Sequence, residues 1–186
     1  MDEQALLEEA RDDDPEREHL IMFTSGTSSG KPKGCPRPVV TMTQFVRVQT
    51  WAADFGPSSR SLLSTANFRI VASITAAISW SAGAALVLAG PTFDPQTTLD
   101  TIERHRVTTT VFLPSMVHAL VAHPTFKHRD LSSVRNVTTG ADMITHDVLV
   151  RIASAFPSAD INVAHGMTEG AGLFHWPFFG LSLIHI

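Results

Sequence analysis

Residues 21–34 read IMFTSGTSSGKPKG, and the order of residue types in this run sets the terms for the rest of the chain. Leu20 to Phe23 are four apolar residues in succession and are expected to form a buried strand. They run directly into Thr24–Gly34, made almost wholly of hydroxyl residues, glycine and lysine. Glycine permits positive φ and close backbone approach, so such a loop can turn several N–H groups and hydroxyls on one centre. Lysine adds a mobile positive point charge. The guest that matches these donors is a polyphosphate. A P-loop needs four residues between its glycines and Ser or Thr after its lysine. Here Gly26 and Gly30 are separated by three residues, and Lys31 is followed by Pro32, which fixes φ and has no N–H. The P-loop reading fails on spacing and on chemistry. A flexible Gly/Ser linker fits poorly too, because the run follows a core strand and closes on an ordered Lys-Pro-Lys-Gly.

A second stretch stands near the other end of the chain. Asp160–Ala164 (DINVA) reads as a short strand, followed by His165-Gly166-Met167-Thr168-Glu169. Taken singly, His165 is a loop histidine and Glu169 a solvated surface acid.

Together the two stretches resemble the adenylate-forming superfamily, which includes acyl-CoA synthetases, the adenylation domains of peptide synthetases, and luciferases. The family's phosphate loop reads T-S-G-T-T-G-x-P-K-G. This chain has Thr24, Ser25, Gly26, Thr27, Ser28, Ser29, Gly30, Lys31, Pro32, Lys33 and Gly34, one residue longer between Thr27 and the second glycine. The family's second motif is Y-G-M-T-E after a strand, and His165 stands here in place of the tyrosine. The intervening order is similar as well. Leu131–Gly140 resembles the strand and glycine turn before Ala141, which in relatives lines the acyl and adenine pocket. Thr138 and Thr139 at its end are placed for polar contacts. Gly83–Leu88 and Phe112–Ser115 resemble a small-residue turn into a core strand and a V-P-S segment. Ala66 and Arg69 replace the proline and histidine of the family's P-x-F-H. The resemblance spans nearly all of residues 18–170.

That resemblance implies ATP with Mg²⁺, a small-molecule carboxylic acid, and a thiol acceptor, either coenzyme A or a phosphopantetheine carrier. The carboxylate attacks the α-phosphorus of ATP, pyrophosphate leaves, and the thiol takes the acyl group from the adenylate. Donors aimed at the departing oxygens are what such a catalyst supplies. By the resemblance, Ser25, Gly26, Thr27, Ser28, Gly30 and Lys33 serve the β- and γ-phosphates and Thr24 belongs to the same nucleotide-binding set, Lys33 occupying the family's lysine position before the closing glycine. Gly140, Ala141, His165, Gly166 and Met167 surround the nucleotide, with His165 beside adenine. Thr168 touches the α-phosphate and Glu169 holds the metal. Lys33, Thr168 and Glu169 are thus the residues assigned to the reaction. The family's ribose-binding aspartate, hinge and C-terminal lysine domain have no counterpart in the seventeen residues after Glu169. The chain is therefore expected to be a fragment with low or no independent turnover. The alternative is a non-catalytic nucleotide-binding or interaction protein that kept the loop.

Composition fits a globular domain, with 186 residues, 44% hydrophobic and 17% charged. Fourteen Lys+Arg against eighteen Asp+Glu leave a net charge of −4, with no basic stripe for nucleic acid. The acidic residues crowd Asp2–Glu18, an expected solvated lead-in. Cys35 is the single cysteine, which excludes an intrachain disulfide and suits a reducing compartment. With no apolar leader visible, a cytoplasmic location is expected. Ile70–Phe93 carries no charge, but its serines, threonines and Gly90-Pro91 favour a buried helix near 70–82 and a core strand near 84–89 over a membrane span. His118, His123 and His128 recur every five residues, a spacing that scatters them around a helix rather than gathering them on a metal.

Helices are expected over Pro38–Ala53, from Asp94-Pro95 with Leu99 and Ile102 inward, and over Thr145–Phe156; Thr108–Phe112 reads as a strand. Strands alternating with helices predict an α/β fold, a layered mixed or parallel sheet with flanking helices, with ligands at the carboxyl ends of strands. By the resemblance this is a central part of the large N-terminal domain of an adenylate-forming enzyme. The expected organisation is an acidic lead-in over 1–18, a partial AMP-binding domain over 19–172 and an atypical tail over 173–186.

Overall fold

A computed structural model describes residues 2–24, 26, 30–52, 55–66, 68–170 and 173–178. In chain order the elements are α1 (Glu3–Asp12), β1 (Glu18–Phe23), β2 (Gly34–Pro38), α2 (Val39–Ala52), β3 (Arg60–Leu63), α3 (Ile70–Ser81), β4 (Ala85–Leu88), α4 (Pro95–His105), β5 (Thr109–Phe112), α5 (Pro114–Ala122), β6 (Asn136–Gly140), α6 (His146–Ala155), β7 (Asp160–Gly166) and β8 (Leu173–Phe178). A 3-10 turn at Phe126–His128 lies between α5 and β6.

Two sheets result. β1 and β2 pair antiparallel as a separate hairpin, while the main sheet runs β4-β3-β5-β6-β7-β8. Its first five strands are parallel, and β8 closes antiparallel on β7. The chain steps from β3 to β4 in one direction and then crosses back to β5, so the strand order reverses between β3 and β5. With the right-handed crossovers that parallel strands adopt, this reversal puts α3 on one face and α4, α5 and α6 on the other. The packing agrees. Leu99 and Ile102 of α4, Val117 and Leu120 of α5, and Val148 and Ile152 of α6 share one core with Leu62, Phe112, Val137 and Ile161 of the strands. Phe112 and Phe156 stack there with ring centroids 6.1 Å apart. Along β3, Ser61 and Leu63 alternate with Leu62 and so face α3, which packs on β3 and β4.

Local chemistry sets the helix starts. The Asp94 carboxylate accepts from the Thr97 N–H at 2.7 Å, and Pro95 occupies the first turn, where no N–H is required. Leu99 and Ile102 are fully buried, as their spacing predicts. The Thr145 hydroxyl caps α6 by accepting from Val148 N–H at 3.4 Å. The uncharged stretch after Ile70 divides into α3 and β4, and no described helix is long and apolar enough to cross a membrane.

Four expectations need correction. The Leu20–Phe23 strand exists but is not buried: only Met22 is, while Phe23 is 69% exposed, because a two-stranded ribbon packs on one side only. The strand near 84–89 is an edge rather than a core strand, bonded to β3 alone among the described residues, with Leu88 exposed. Pro38 ends a strand instead of opening a helix. Its missing N–H matters little in a hairpin strand with a free edge. Finally, β7 continues past Ala164 through His165 and Gly166, because β8 pairs with those residues. Of the three histidines spaced by five, His118 lies in α5, His123 caps it against the Thr125 hydroxyl at 2.9 Å, and His128 sits in the 3-10 turn.

Candidate nucleotide site

The hairpin loop is closed at its neck by two hydrogen bonds. Thr24 N–H donates to the Lys33 carbonyl at 3.0 Å, and Lys33 N–H donates to the Thr24 hydroxyl at 3.2 Å. Within the loop Gly30 N–H donates to the Gly26 carbonyl at 2.7 Å. Gly26 has φ +75°, and a Cβ there would stand 2.5 Å from the Lys31 carbonyl carbon. Both the dihedral and the space demand glycine. Lys33 is exposed at the point where the loop enters β2. Ser25, Thr27 and Ser28 lie outside the described residues.

The second segment starts inside the sheet. His165 and Gly166 form the last two positions of β7, paired with Phe174 and Leu173. Met167 and Glu169 are exposed and Thr168 half-buried, and Gly170 N–H donates to the Met167 carbonyl at 3.3 Å, so the chain turns directly after the strand.

Gly140 and Ala141 stand next to this turn. Gly140 pairs with Ala164, and a Cβ on Gly140 would sit 2.1 Å from the Ala164 carbonyl oxygen. β6 and β7 therefore approach more closely at their carboxyl ends than any side chain would allow. Ala141 follows in the left-handed region at φ +62°, which swings the chain away from the sheet. Thr139 is fully buried with its hydroxyl unpartnered, and Thr138 is half-buried.

What joins the hairpin to the sheet is a residue that the sequence reading did not single out. Arg37, in β2, donates through Nη2 to the carbonyls of Met167, at 3.4 Å, and of Thr168. The β1–β2 hairpin and the HGMTE segment are thereby neighbours. Lys33 lies four residues along the strand from Arg37, roughly 13 Å at about 3.3 Å per residue. No hydrogen bond or ion pair links Lys33 to Glu169 among the described residues. A charged residue between Pro36 and Pro38, directly after the loop, was the available signal. The surface hollow between α2 and α3, lined by Arg47, Thr50, Trp51, Phe55 and Ser81, contains none of the predicted site residues.

The donor set can be tested against the expected groups. The described residues contain no cluster of three His, Cys, Asp or Glu side chains able to hold a metal by themselves. Mg²⁺ does not need one, since it takes one or two carboxylates and completes its shell with phosphate oxygens and water. One exposed carboxylate at Glu169 suits a cation that arrives with a polyphosphate.

Comparison with known proteins identifies the lineage. A family model described as AMP-binding enzyme matches residues 2–183. An acyl–CoA ligase of Pestalotiopsis microspora is 42% identical over 182 residues, covering 98% of this chain and 31% of that protein. An indoleacetate–CoA ligase of Aromatoleum aromaticum is 34% identical over 133 residues, 70% of this chain and 25% of its own length. The solved structure of ATP-bound MatB from Rhodopseudomonas palustris superposes with a TM-score of 0.79 at 20% identity, over 91% of this chain and 33% of that one, and so shares the fold. The chain thus spans less than a third of the length of these curated relatives. On the strength of the motifs, their order along the sheet and these matches, the chain belongs to the AMP-binding enzyme family of adenylate-forming proteins.

Proposed function

We propose that this chain forms the triphosphate-binding centre of an ATP-dependent acid–thiol ligase, a protein that activates a carboxylic acid as its adenylate and passes the acyl group to a thiol. The observation that carries this reading is the link from Arg37 to the main chain of Met167 and Thr168, which makes neighbours of two motifs 130 residues apart in sequence. Coenzyme A is the acceptor favoured by the names of the relatives, which are CoA ligases.

Each residue then has a definite task. The Thr24–Lys33 neck holds the loop open and fixes where its donors point. Gly26 lets the backbone turn without a side chain in the way. Lys33 meets the charge that builds on the β- and γ-oxygens as pyrophosphate departs, and fixed donors of this kind need no reorganisation at that moment. Thr168 places its hydroxyl by the α-phosphate, and the Glu169 carboxylate offers the protein's oxygen ligand to Mg²⁺, which when bound would neutralise the phosphate oxygens. His165, exposed at the end of β7, gives a flat ring for adenine to lie against. Gly140 and Ala141, at the end of the neighbouring strand, line the same pocket.

Titration calorimetry of this chain with Mg·ATP is the direct test. Binding is expected in the wild type, and Lys33→Ala should weaken it by about tenfold or more, the scale of a lost hydrogen bond to a charged group. Absence of binding by the folded wild-type chain would overturn the reading.

A further inference from the structure

We propose that Arg37 is a positioning residue that couples the phosphate loop to the Thr168–Glu169 turn. The use of this coupling rests on the nucleotide reading above; the coupling itself rests on geometry. Arg37 is only 6% exposed, yet its partners among the described residues are two main-chain carbonyls, those of Met167 and Thr168, and no carboxylate; its Nε is buried without a partner. A guanidinium taken out of water without a counter-charge is costly to keep. A residue concerned only with packing would serve better as methionine or leucine. What arginine adds is a nitrogen with more than one N–H, and its Nη2 alone reaches two successive carbonyls.

Those carbonyls belong to the turn that presents Thr168 and Glu169. The Met167 carbonyl also accepts the Gly170 N–H that closes the turn. At the other end of the path, β2 is paired to β1 from Gly34 to Pro38, and the loop neck is bonded across Thr24 and Lys33. Pro38 confines the residue before it to extended backbone, which keeps Arg37 in the strand conformation from which it reaches the turn. The loop, β2, Arg37 and the turn therefore form one bonded line. An anion seated on the loop meets a turn whose main chain is already held, and the charge of Arg37 adds to the positive potential there.

Hydrogen exchange and Mg·ATP titration of this chain, as wild type, Arg37→Met and Arg37→Lys, test the assignment. Arg37→Met should speed exchange of the Gly170 amide about tenfold or more while leaving Val137 in the central sheet unchanged, the signature of local rather than global opening. It should also weaken Mg·ATP binding about five- to tenfold, with Arg37→Lys recovering much of both effects. Unchanged Gly170 exchange in a folded Arg37→Met protein would overturn the proposal, as would equal loosening of Gly170 and Val137. If the wild type binds no Mg·ATP, the nucleotide reading falls, and the Gly170 result still decides the coupling. If Arg37→Met does not fold, nitrogen-15 spectra of the wild-type arginine side chains decide it. Slowly exchanging Arg37 Nη protons are expected, and a freely rotating guanidinium would refute the bond.

Discussion

The hairpin and the parallel sheet are built on opposite economies of surface. Leu62, Leu99, Ile102, Phe112, Leu120, Val137 and Ile152 of the sheet layer are all at most 1% exposed. In the hairpin Ile21 and Phe23 stand largely in solvent, and the buried side chains among the described residues are Met22, Cys35 and the charged Arg37. The sheet is held by apolar area removed from water, which has no direction and tolerates many arrangements of chemistry. The hairpin is held by a few directed bonds and two glycine conformations, which tolerate almost none. A loop carried outside the core can be altered with little effect on the sheet.

This contrast can be broken experimentally, beginning where the effect is largest. Phe112→Ala should cost about 3–5 kcal/mol in urea unfolding, whereas Phe23→Ala in the hairpin should stay within about 0.5 kcal/mol. Equal losses at the two sites would erase the distinction. Gly140→Ala forces a methyl into the Ala164 carbonyl, so the carboxyl ends of β6 and β7 must part. About 2–3 kcal/mol is expected in thermal melting, and a neutral result would mean that the strands are not so close. Gly26→Ala meets both a disfavoured dihedral and the Lys31 backbone, at about 1–2 kcal/mol confined to the hairpin. The sheet's unfolding midpoint should barely move, while Mg·ATP binding is lost.

The smallest effect concerns charge. Asp130, ahead of β6, is held down to about 2 from an ordinary 3.8, first by the Ser132 hydroxyl, then by the Ser132 N–H and by Arg106. Because the folded-state value is the lower one, this carboxylate contributes stability above about pH 4 and loses it as the pH falls toward about 2. Asp130→Asn should flatten the acid limb of the stability curve without touching nucleotide affinity. A change in affinity would tie the acid loop to the site.

The helices were legible in the sequence wherever one face was apolar and a cap preceded it, as at Asp94-Pro95 and Thr145. β3 and α5 escaped notice because four residues, Arg60–Leu63, and nine, Pro114–Ala122, give too few turns of a period to read. β2 escaped because two prolines in five residues argue against a strand, and only the free edge of a ribbon excuses them. The two family motifs were legible as residue types in order, Thr24–Gly34 and His165–Glu169, because each is a short contiguous run. Arg37 was not, because its partners are main-chain carbonyls and leave no pattern in the side chains around it.

The prolines of β2 carry one more consequence. Pro36 and Pro38 share the same parity along the strand, and β2 still bonds to β1, so the groups they remove belong to the outward rim. A passing extended peptide, or a second copy of the hairpin, would find acceptors there without matching donors, and zipper-like growth from that rim is starved at its first step. The protection is one-sided, because Ile21 and Phe23 lie on β1, whose own outer rim holds no proline.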